Sequence, residues 1–394
     1  MENNLLRYSN KALPKRINAA GFILMMSGFS FGIIAYFYDA QRALQNYLIM
    51  YLFLISIGVG SLFLIALEYI VNAEWSVPIR RIIEFLASLI PYLIVLALPL
   101  LIKLNIIFEW THIAVVRDDK VLFDKSPYLN ITFFVVRAVV FLLIWNLFYW
   151  LITRNSLKQD TSGDQALTKR NIKLSAVFIP CFAITITFTA IDWLMSLEPH
   201  WFSTIFGIYF FSGTIVAALS AVTLIVVLLK ENNYLHPKII DDHLYSLGAL
   251  LFGFVNFWGY IAFAQYLLIW YADVPEENFW FMHRWQNGWW IVSLLLIITH
   301  FVVPYIVLLS QPAKMDHKKL KFSAALLLCA HILDLFWIVM PSSQNSSFSI
   351  SWIDFVFPVA GIGIVILAFS YKAKRENLLP VGDPKLERGL NFHL

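Results

Sequence analysis

The stretch Ile172–Leu229 reads IKLSAVFIPCFAITITFTAIDWLMSLEPHWFSTIFGIYFFSGTIVAALSAVTLIVVLL, and it decides the fold. Two apolar runs flank a short polar passage, Asp192–Ser203, that holds two carboxylates, one histidine and two tryptophans. A membrane-spanning helix needs about 20 apolar residues, and both runs meet that length. Tryptophan favours the boundary between water and lipid, whereas charges are costly in hydrocarbon. The stretch therefore predicts two spanning helices joined by a polar turn, and function should be sought near that turn.

The composition of the whole chain extends this prediction. Its 394 residues are 60% hydrophobic and 14% charged, whereas soluble domains are about 45–50% apolar and about 25% charged. The chain is therefore predicted to cross a membrane many times. The small net charge of +4 does not favour nucleic-acid binding. Cys181 and Cys329 are too few for a disulfide framework or an iron–sulfur site, so we expect no metal-ligating set and no cofactor held by this chain.

The predicted fold class is all-α and integral to the membrane. Segments with the length of a spanning helix recur ten times: Ile17–Tyr38, Tyr47–Val71, Ile82–Ile102, Tyr128–Ile152, Ile172–Leu197, Thr204–Leu229, Leu244–Tyr271, Trp289–Leu309, Phe322–Met340 and Ile350–Tyr371. They are too long and too continuously apolar for barrel strands. A weak tandem pattern, Cys181 with Asp192-Trp193 and Cys329 with Asp334 and Trp337, favours two four-helix bundles. These bundles would cover about 47–197 and 204–340, with flanking helices at 17–38 and 350–371.

The basic residues predict the topology. Most of the 29 Lys and Arg residues fall on one side of the ten segments, and that side is normally cytoplasmic. Both the amino-terminal segment 1–16 and the tail 372–394 should then lie in the cytoplasm. Between Arg154 and Lys173 the composition predicts a flexible inner loop. The predicted outer loops are Asp39–Asn46, Leu104–Pro127, Glu198–Ser203, Ala272–Gly288 and Pro341–Ser349.

Ionisable residues within the apolar segments suggest a proton path. His331 and Asp334 are spaced i, i+3 and share one helix face, and such a pair can hold and pass a proton. The alternative interpretation is a hydrogen-bonded polar lock between helices. A single b-type haem held by His300 and His331 is a further, weaker alternative. The candidates at depth are His331, Asp334, His300 and Arg137; those of an outer mouth are Asp192, Glu198, His200 and Asp354; those near the inner boundary are Glu68 and Glu84.

Two further groups carry weaker hypotheses. A quinone head group needs hydrogen-bonding partners within an apolar slot, and the candidates in the seventh segment are Asn256, Trp258, Tyr260, Gln265 and Tyr266. Ordinary aromatic packing is the alternative, and for these residues taken alone it is favoured. An interfacial aromatic belt or a docking surface for an outer partner explains the second group, which comprises Trp201, Glu276, Glu277, Trp280, Arg284 and Trp285.

Several motifs resemble one family of respiratory membrane subunits. They are DWLMSLEPHWFSTIFG (Asp192–Gly207), QYLLIWYADVPEENFWF (Gln265–Phe281), HFVVPYIVLLS (His300–Ser310) and DLFWIVMP (Asp334–Pro341). The chain is similar over essentially its whole length to the shorter of the two quinone-binding-type membrane subunits of alternative complex III. That complex is the bacterial quinol:cytochrome c oxidoreductase, and both subunits belong to the NrfD/polysulfide-reductase superfamily.

The resemblance implies a ten-helix subunit in the bacterial cytoplasmic membrane that binds no metal or haem itself. Its partners would be the sister NrfD-like subunit, outer iron–sulfur and multihaem c subunits, and lipids. Haem c and iron–sulfur clusters on those partners would carry the electrons of quinol oxidation. The shorter subunit would serve proton movement and assembly, and a bound quinone or quinol stays an open expectation.

Two rival functions follow from other features of the sequence. A purely structural anchor for outer subunits would tolerate changes of the buried charges but not of the aromatic outer loops. A secondary transporter would use intramembrane charges to bind a substrate or a coupling ion. Pro91, Pro180, Pro304 and Pro358 are compatible with the broken helices of transporters.

Overall fold

A computed structural model describes residues 13–342 and 347–394 of the chain. The described residues form helices and no strands, and ten helical segments are long and apolar enough to span a membrane. We number them α1 (Lys15–Tyr38), α2 (Ala40–Val71), α3 (Val77–Ile102), α4 (Ile131–Ser162), α5 (Ala166–Leu197), α6 (Phe206–Glu231), α7 (Asp241–Ala272), α8 (Trp290–Leu308), α9 (His317–Ser342) and α10 (Ile353–Ala373). The number of spanning helices predicted from the sequence is therefore confirmed. Residues 1–12 of the predicted amino-terminal segment 1–16 lie outside the described residues. The same is true of residues 343–346 in the last predicted outer loop.

Several helices extend well beyond their apolar runs. The prediction of a flexible loop between Arg154 and Lys173 is wrong, because only Gly163–Gln165 separates α4 from α5. Gly163 ends α4 in the left-handed conformation, with φ of 62°, which glycine adopts without strain. Likewise only Asp39 separates α1 from α2. A helix of 32 residues such as α2 is about 48 Å long, so polar turns project past a hydrocarbon core of about 30 Å.

Three of the predicted outer loops contain helix, and for Asp39–Asn46 the loop prediction is wrong, because α2 begins at Ala40. The 104–127 connection forms the short helices Leu104–Ile107, Ile113–Asp118 and Lys120–Lys125. The 272–288 connection contains the helix Pro275–Trp285, which begins at a proline and carries acidic residues in its first turn. Both features stabilise a helix amino terminus. Hydropathy alone could not find these elements, because they lie outside the apolar runs.

Helices α2 and α6 form the centre of the molecule. Within the most apolar 18 residues of each helix, 94% of the residues of α2 and 83% of those of α6 are buried. The two helices contact each other, and Gly60 of α2 lies against Thr214 and Ala218 of α6. Helices α2 to α5 contact one another in a closed ring, and α6 to α9 do the same. The central pair therefore joins two groups of four helices, because α2 belongs to the first group and α6 to the second.

Helix α1 lies at the periphery and packs on α10. Its buried residues are Gly21, Gly28, Gly32 and Ala35. A β-carbon added at Gly28 would lie 2.5 Å from the Cβ of Ala360, so only glycine permits this helix spacing. Small residues allow such close approach of membrane helices, whose association is driven by packing.

Substitution of Gly28 by valine should separate α1 from α10. Overpacking of a tight contact costs about 1–3 kcal/mol, so we expect the Gly28→Val protein to unfold at a lower temperature in detergent. The control is Ala20→Val, on the exposed side of the same helix. Equal unfolding temperatures for the two variants would contradict the role assigned to Gly28.

The two ends of the bundle differ in chemistry. We call one end the tail end, because the tail 374–394 lies there: Asp383 bonds Arg80, and the Gly389 carbonyl lies 2.8 Å from Nε2 of His243. We call the other end the aromatic end, which comprises 194–205 and 273–289. There, Trp201 and Trp280 stack with ring centroids 4.4 Å apart. The tail is therefore an ordered cover of one end and not a loose extension.

Candidate functional site

A fully buried group of ionisable side chains lies between α8 and α9. His300, His331 and Asp334 are at most 2% exposed, and each contributes a potential ligand atom that lies within 4.8 Å of the other two. His331 and Asp334 share one face of α9, as their spacing predicts. His300 comes from Ile297–Val302, a π-helical turn within α8. Such turns are frequent at functional sites because they re-aim side chains.

Neighbouring helices complete this group. Nε2 of His331 lies 2.9 Å from the hydroxyl of Ser56 on α2. The Tyr209 hydroxyl of α6 donates a hydrogen bond to Asp334. Gly213 leaves room for the histidine, because a β-carbon there would lie 3.2 Å from the His331 ring. Ser56 and Tyr209 could not be predicted, since a single sequence does not show which hydroxyl contacts a side chain on a distant helix.

Several polar atoms of the group have no partner among the described residues. They are both ring nitrogens of His300 and Nδ1 of His331. A water molecule that makes hydrogen bonds of about 2.8 Å to two groups connects atoms that are roughly 4.6 Å apart. Any two of His300, His331 and Asp334 are therefore close enough to share one bridging water. Two histidines and an aspartate meet here, and such a set could hold a metal ion. The expectation that this chain binds no metal stays a prediction.

A cavity of about 790 Å³ lies beside this group, between α7 and α8. All five residues predicted for a quinone pocket line it, namely Asn256, Trp258, Tyr260, Gln265 and Tyr266. Tyr209 also lines the cavity and so joins it to Asp334. Trp258 stacks on His300 with ring centroids 3.9 Å apart. The cavity and the buried ionisable group therefore share walls.

The cavity is apolar with a few polar atoms, and it faces the surface that the helices present to lipid. Tyr260 and Phe263 on its rim are 68% and 61% exposed. Among the lining side chains, the Trp258 indole nitrogen and Oε1 of Gln265 have no hydrogen-bond partner in the described residues. One is a donor and the other an acceptor. A lipid-soluble molecule with hydroxyl or carbonyl groups fits this combination.

Arg137 belongs to a separate site. Its guanidinium makes bonds of 2.8 and 2.9 Å to the Asp192 carboxylate and donates to the Tyr128 carbonyl. Of the three aspartates considered as its partner, the structure selects Asp192. Helix α4 begins at Ile131, so Arg137 lies near the aromatic end. The prediction that it lies at depth with the histidines is therefore wrong.

The expected outer mouth is divided among separate ion pairs. His200 lies 2.6 Å from Asp119, and Arg42 pairs with Asp354 at 2.6 Å. Arg284 pairs with Glu198 at 3.0 Å. Burial alone would raise the pKa of the Glu198 carboxyl, but Arg284 and His283 outweigh burial and lower that pKa below its usual value. Each carboxylate therefore has its own partner, and these residues do not form one polar opening.

The residues predicted to dock an outer partner fall into two sets. Trp201, Trp280 and Arg284 are at most 3% exposed and pack inside the chain, so they present no surface to a partner. Glu276 and Trp285 are exposed and Glu277 is half-buried at the aromatic end, and for these three residues docking stays a prediction. One stretch of aromatic and charged residues can thus form a buried contact within the chain as well as an exposed surface.

The two glutamates near the tail end belong to an ion-pair network. Arg80 bonds Glu68 at 2.6 Å and Asp383 of the tail at 2.5 Å. Arg81 bonds Glu84, whose other oxygen accepts from Ser156 at 2.7 Å. These contacts connect α2, α3, α4 and the tail.

Comparisons with known proteins add little. No protein-family model matches the chain. A stretch of 100 residues is 29% identical to a protein of Nitratidesulfovibrio vulgaris strain Hildenborough, whose name states no activity. The match covers 25% of each chain, so the alignment spans about a quarter of that protein's length. The function must therefore be argued from the geometry.

Proposed function

We propose that this chain is a membrane subunit of a quinol-oxidising respiratory complex of the alternative complex III type, and that it receives and conducts the protons of that reaction. The observation that carries the proposal is the contact between the lipid-facing cavity and the buried group His300, His331 and Asp334. Tyr209 lines the first and donates to the second. A lipid-soluble proton donor in the cavity would thus lie next to groups that titrate.

Quinol is the ligand class that suits the cavity. Its ring fits an apolar slot, and its isoprenoid tail can leave between α7 and α8 past Tyr260 and Phe263. A quinol hydroxyl can donate to Gln265, whereas a quinone carbonyl can accept from the Trp258 indole. Oxidation of one quinol releases two protons and two electrons. The electrons would pass to iron–sulfur and c-haem subunits, and the protons to this chain.

The proposed proton route begins at Tyr209. As the phenol takes a proton from quinol, it gives its own to Asp334, so no charge remains on the tyrosine. Asp334 then exchanges the proton with His331, and His300 is within reach of one shared water. Histidine and a buried carboxylate are the groups that membrane proton relays use.

Buried hydroxyls extend the route toward the tail end. Ser56 links His331 to Thr214, whose hydroxyl lies 3.4 Å away. Further along α2, α6 and α9, buried hydroxyls without a partner among the described residues are Ser61, Ser220, Thr223 and Ser323. Polar atoms left unpaired in an apolar core are costly. A file of waters across these hydroxyls would satisfy them and would carry protons.

The excess of basic residues at the tail end supports an orientation for this scheme. With that end in the cytoplasm of a bacterium, the exposed Glu276 and Trp285 and the half-buried Glu277 would face the outer iron–sulfur and multihaem c subunits. The sister subunit would contact the lipid-exposed helix faces. A purely structural anchor would use the same surfaces, but it has no use for a cavity beside a titratable group.

Ligand binding tests this proposal directly. Trp258, Trp280, Trp285 and Trp337 line the cavity, so a short-tailed quinone should quench the intrinsic fluorescence of the purified protein. Ala262 also lines the cavity, whereas Ala264 on the same helix does not. We expect Ala262→Trp to weaken quinone binding about tenfold or more by filling the cavity, and Ala264→Trp to leave it unchanged. Equal affinities for both variants would place the quinone elsewhere and remove the main support for the proposal.

A further inference from the structure

A second cavity lies on the opposite side of the molecule, between α1, α3 and α10. Its volume is about 540 Å³, and its walls are mostly apolar, with Met25, Phe29, Leu96 and Leu367 among them. It is independent of the quinone cavity, since the two share no lining residue. Asn18, Tyr371 and Lys374 line its other end. The cleft is therefore amphipathic, with a polar mouth and an apolar interior.

The length of the cleft matches one leaflet of a bilayer. From Asn18 to Phe29 along α1 is about 16 Å, at about 1.5 Å per residue. From Lys374 to Ile364 along α10 is about 15 Å by the same measure. One half of a hydrocarbon core of about 30 Å is also about 15 Å. The polar mouth then lies at the level of lipid head groups, and the apolar end lies near the middle of the membrane.

The mouth carries an excess of positive charge. Lys374 lines it, Arg375 follows in sequence, and Lys15 and Arg16 begin α1 beside it. These four side chains are exposed, and none forms an ion pair with another residue that the structure describes. Nδ2 of Asn18 is enclosed and has no hydrogen-bond partner among the described residues. Unpaired cations and an amide donor at this depth favour a phosphate group.

We propose that the cleft between α1, α3 and α10 is a specific binding site for an anionic phospholipid. One acyl chain lies along Met25, Phe29 and Leu96, and the phosphate contacts Lys374 and the Asn18 amide. Arg375, held over the Tyr371 ring at 4.2 Å, adds a second cation. The lipid would fill the space beside the otherwise peripheral α1 and hold it against α10.

Native mass spectrometry of the full-length protein tests this site. After delipidation, the protein is mixed with phosphatidylglycerol or phosphatidylcholine of the same acyl chains, and with a six-carbon phosphatidylglycerol. We expect one long-chain phosphatidylglycerol to be retained, and neither of the other lipids. The Lys374→Gln/Arg375→Gln protein should retain it roughly 20-fold less well. The matched control is Lys169→Gln/Arg170→Gln, an exposed pair at the start of α5 on the same end.

Three outcomes would overturn the proposal. Equal retention of phosphatidylcholine would show ordinary bilayer lipid in the cleft. Equal retention of the short-chain lipid would show a phosphate site without an acyl chain. Equal loss in the control variant would show only general attraction of an anionic lipid to a basic surface.

Discussion

Replacement of Arg284 by alanine should lower the free energy of unfolding by about 3–5 kcal/mol, the cost of breaking a buried ion pair by removing one partner. Arg284 is fully buried. It donates to the carbonyls of Trp337 and Ile338 at 3.1 and 2.7 Å and to the Trp280 carbonyl at 2.8 Å. Its guanidinium also lies 3.5 Å from the Trp280 ring centroid. One side chain thus joins the Pro275–Trp285 helix to the end of α9.

The loss of stability also involves Glu198. This residue pairs with Arg284 and so connects the 194–203 turn to the Pro275–Trp285 helix. Without the arginine, a carboxylate that is largely buried loses its main cation. The lowered pKa of Glu198 gives the pair a pH dependence of known sign. Its contribution is complete above the pKa of an unfolded glutamate, about 4.3, and is lost as the pH falls through the lowered value.

Thermal unfolding in detergent, followed by tryptophan fluorescence, measures the effect. Arg117→Ala is the control, because Arg117 is an exposed arginine at the same end and its loss should change little. Arg284→Lys keeps the charge but not the planar set of donors, so it should be intermediate. Wild-type stability of Arg284→Ala would show that these bonds are not what holds the aromatic end together.

The spanning helices could be predicted from the sequence, and their partners could not. Long apolar runs indicate segments that are surrounded by lipid, so the ten spanning helices can be recognised from the sequence. Arg137 shows the limit: three aspartates were acceptable partners, and only the three-dimensional packing of α4 against α5 selects Asp192. Arg284 shows a second limit. Its neighbours Glu276 and Trp285 are exposed while it is buried, because different faces of one short helix meet water and protein.

The local pattern predicted best where one helix contains the whole feature. His331 and Asp334 share a face because of their spacing, and the five pocket candidates of α7 line one cavity although their spacing does not place them on one side of the helix. His300 required knowledge of a π-helical turn in α8, which no periodicity indicates. Ser56 and Tyr209 come from helices far away in sequence, so the site could be only half predicted.

The weak tandem pattern in the sequence leads to two chemically different aspartates. In the first group of four helices, Arg137 neutralises Asp192, and Tyr128 donates to it at 2.8 Å. In the second group, Tyr209 donates to Asp334, and no cation pairs with Asp334 among the described residues. Asp192 is thus held by an arginine, whereas Asp334 is held by a neutral hydroxyl. This difference makes Asp334 the residue to test for proton transfer.

If the chain works in a quinol-oxidising complex as we propose, replacement of Asp334 by asparagine should reduce quinol oxidation by that complex about 100-fold, since a positioned proton acceptor contributes at least that factor. Asparagine keeps the shape and can still accept the Tyr209 hydrogen bond, but it cannot take up a proton. The measurement is quinol-dependent reduction of cytochrome c by the purified complex, with subunit content and quinone affinity determined on the same sample. Asp118→Asn, at an exposed position, is the control and should retain full turnover.

The same variant separates a proton relay from a polar lock between helices. A lock needs only the hydrogen bond, so it predicts that Asp334→Asn assembles and works normally. A relay predicts an assembled complex that binds quinone and turns over slowly, with partial recovery in Asp334→Glu, which restores a carboxylate. Full turnover of an intact Asp334→Asn complex would leave His331 and Asp334 a structural role only, and the proton route would have to be sought elsewhere in the complex.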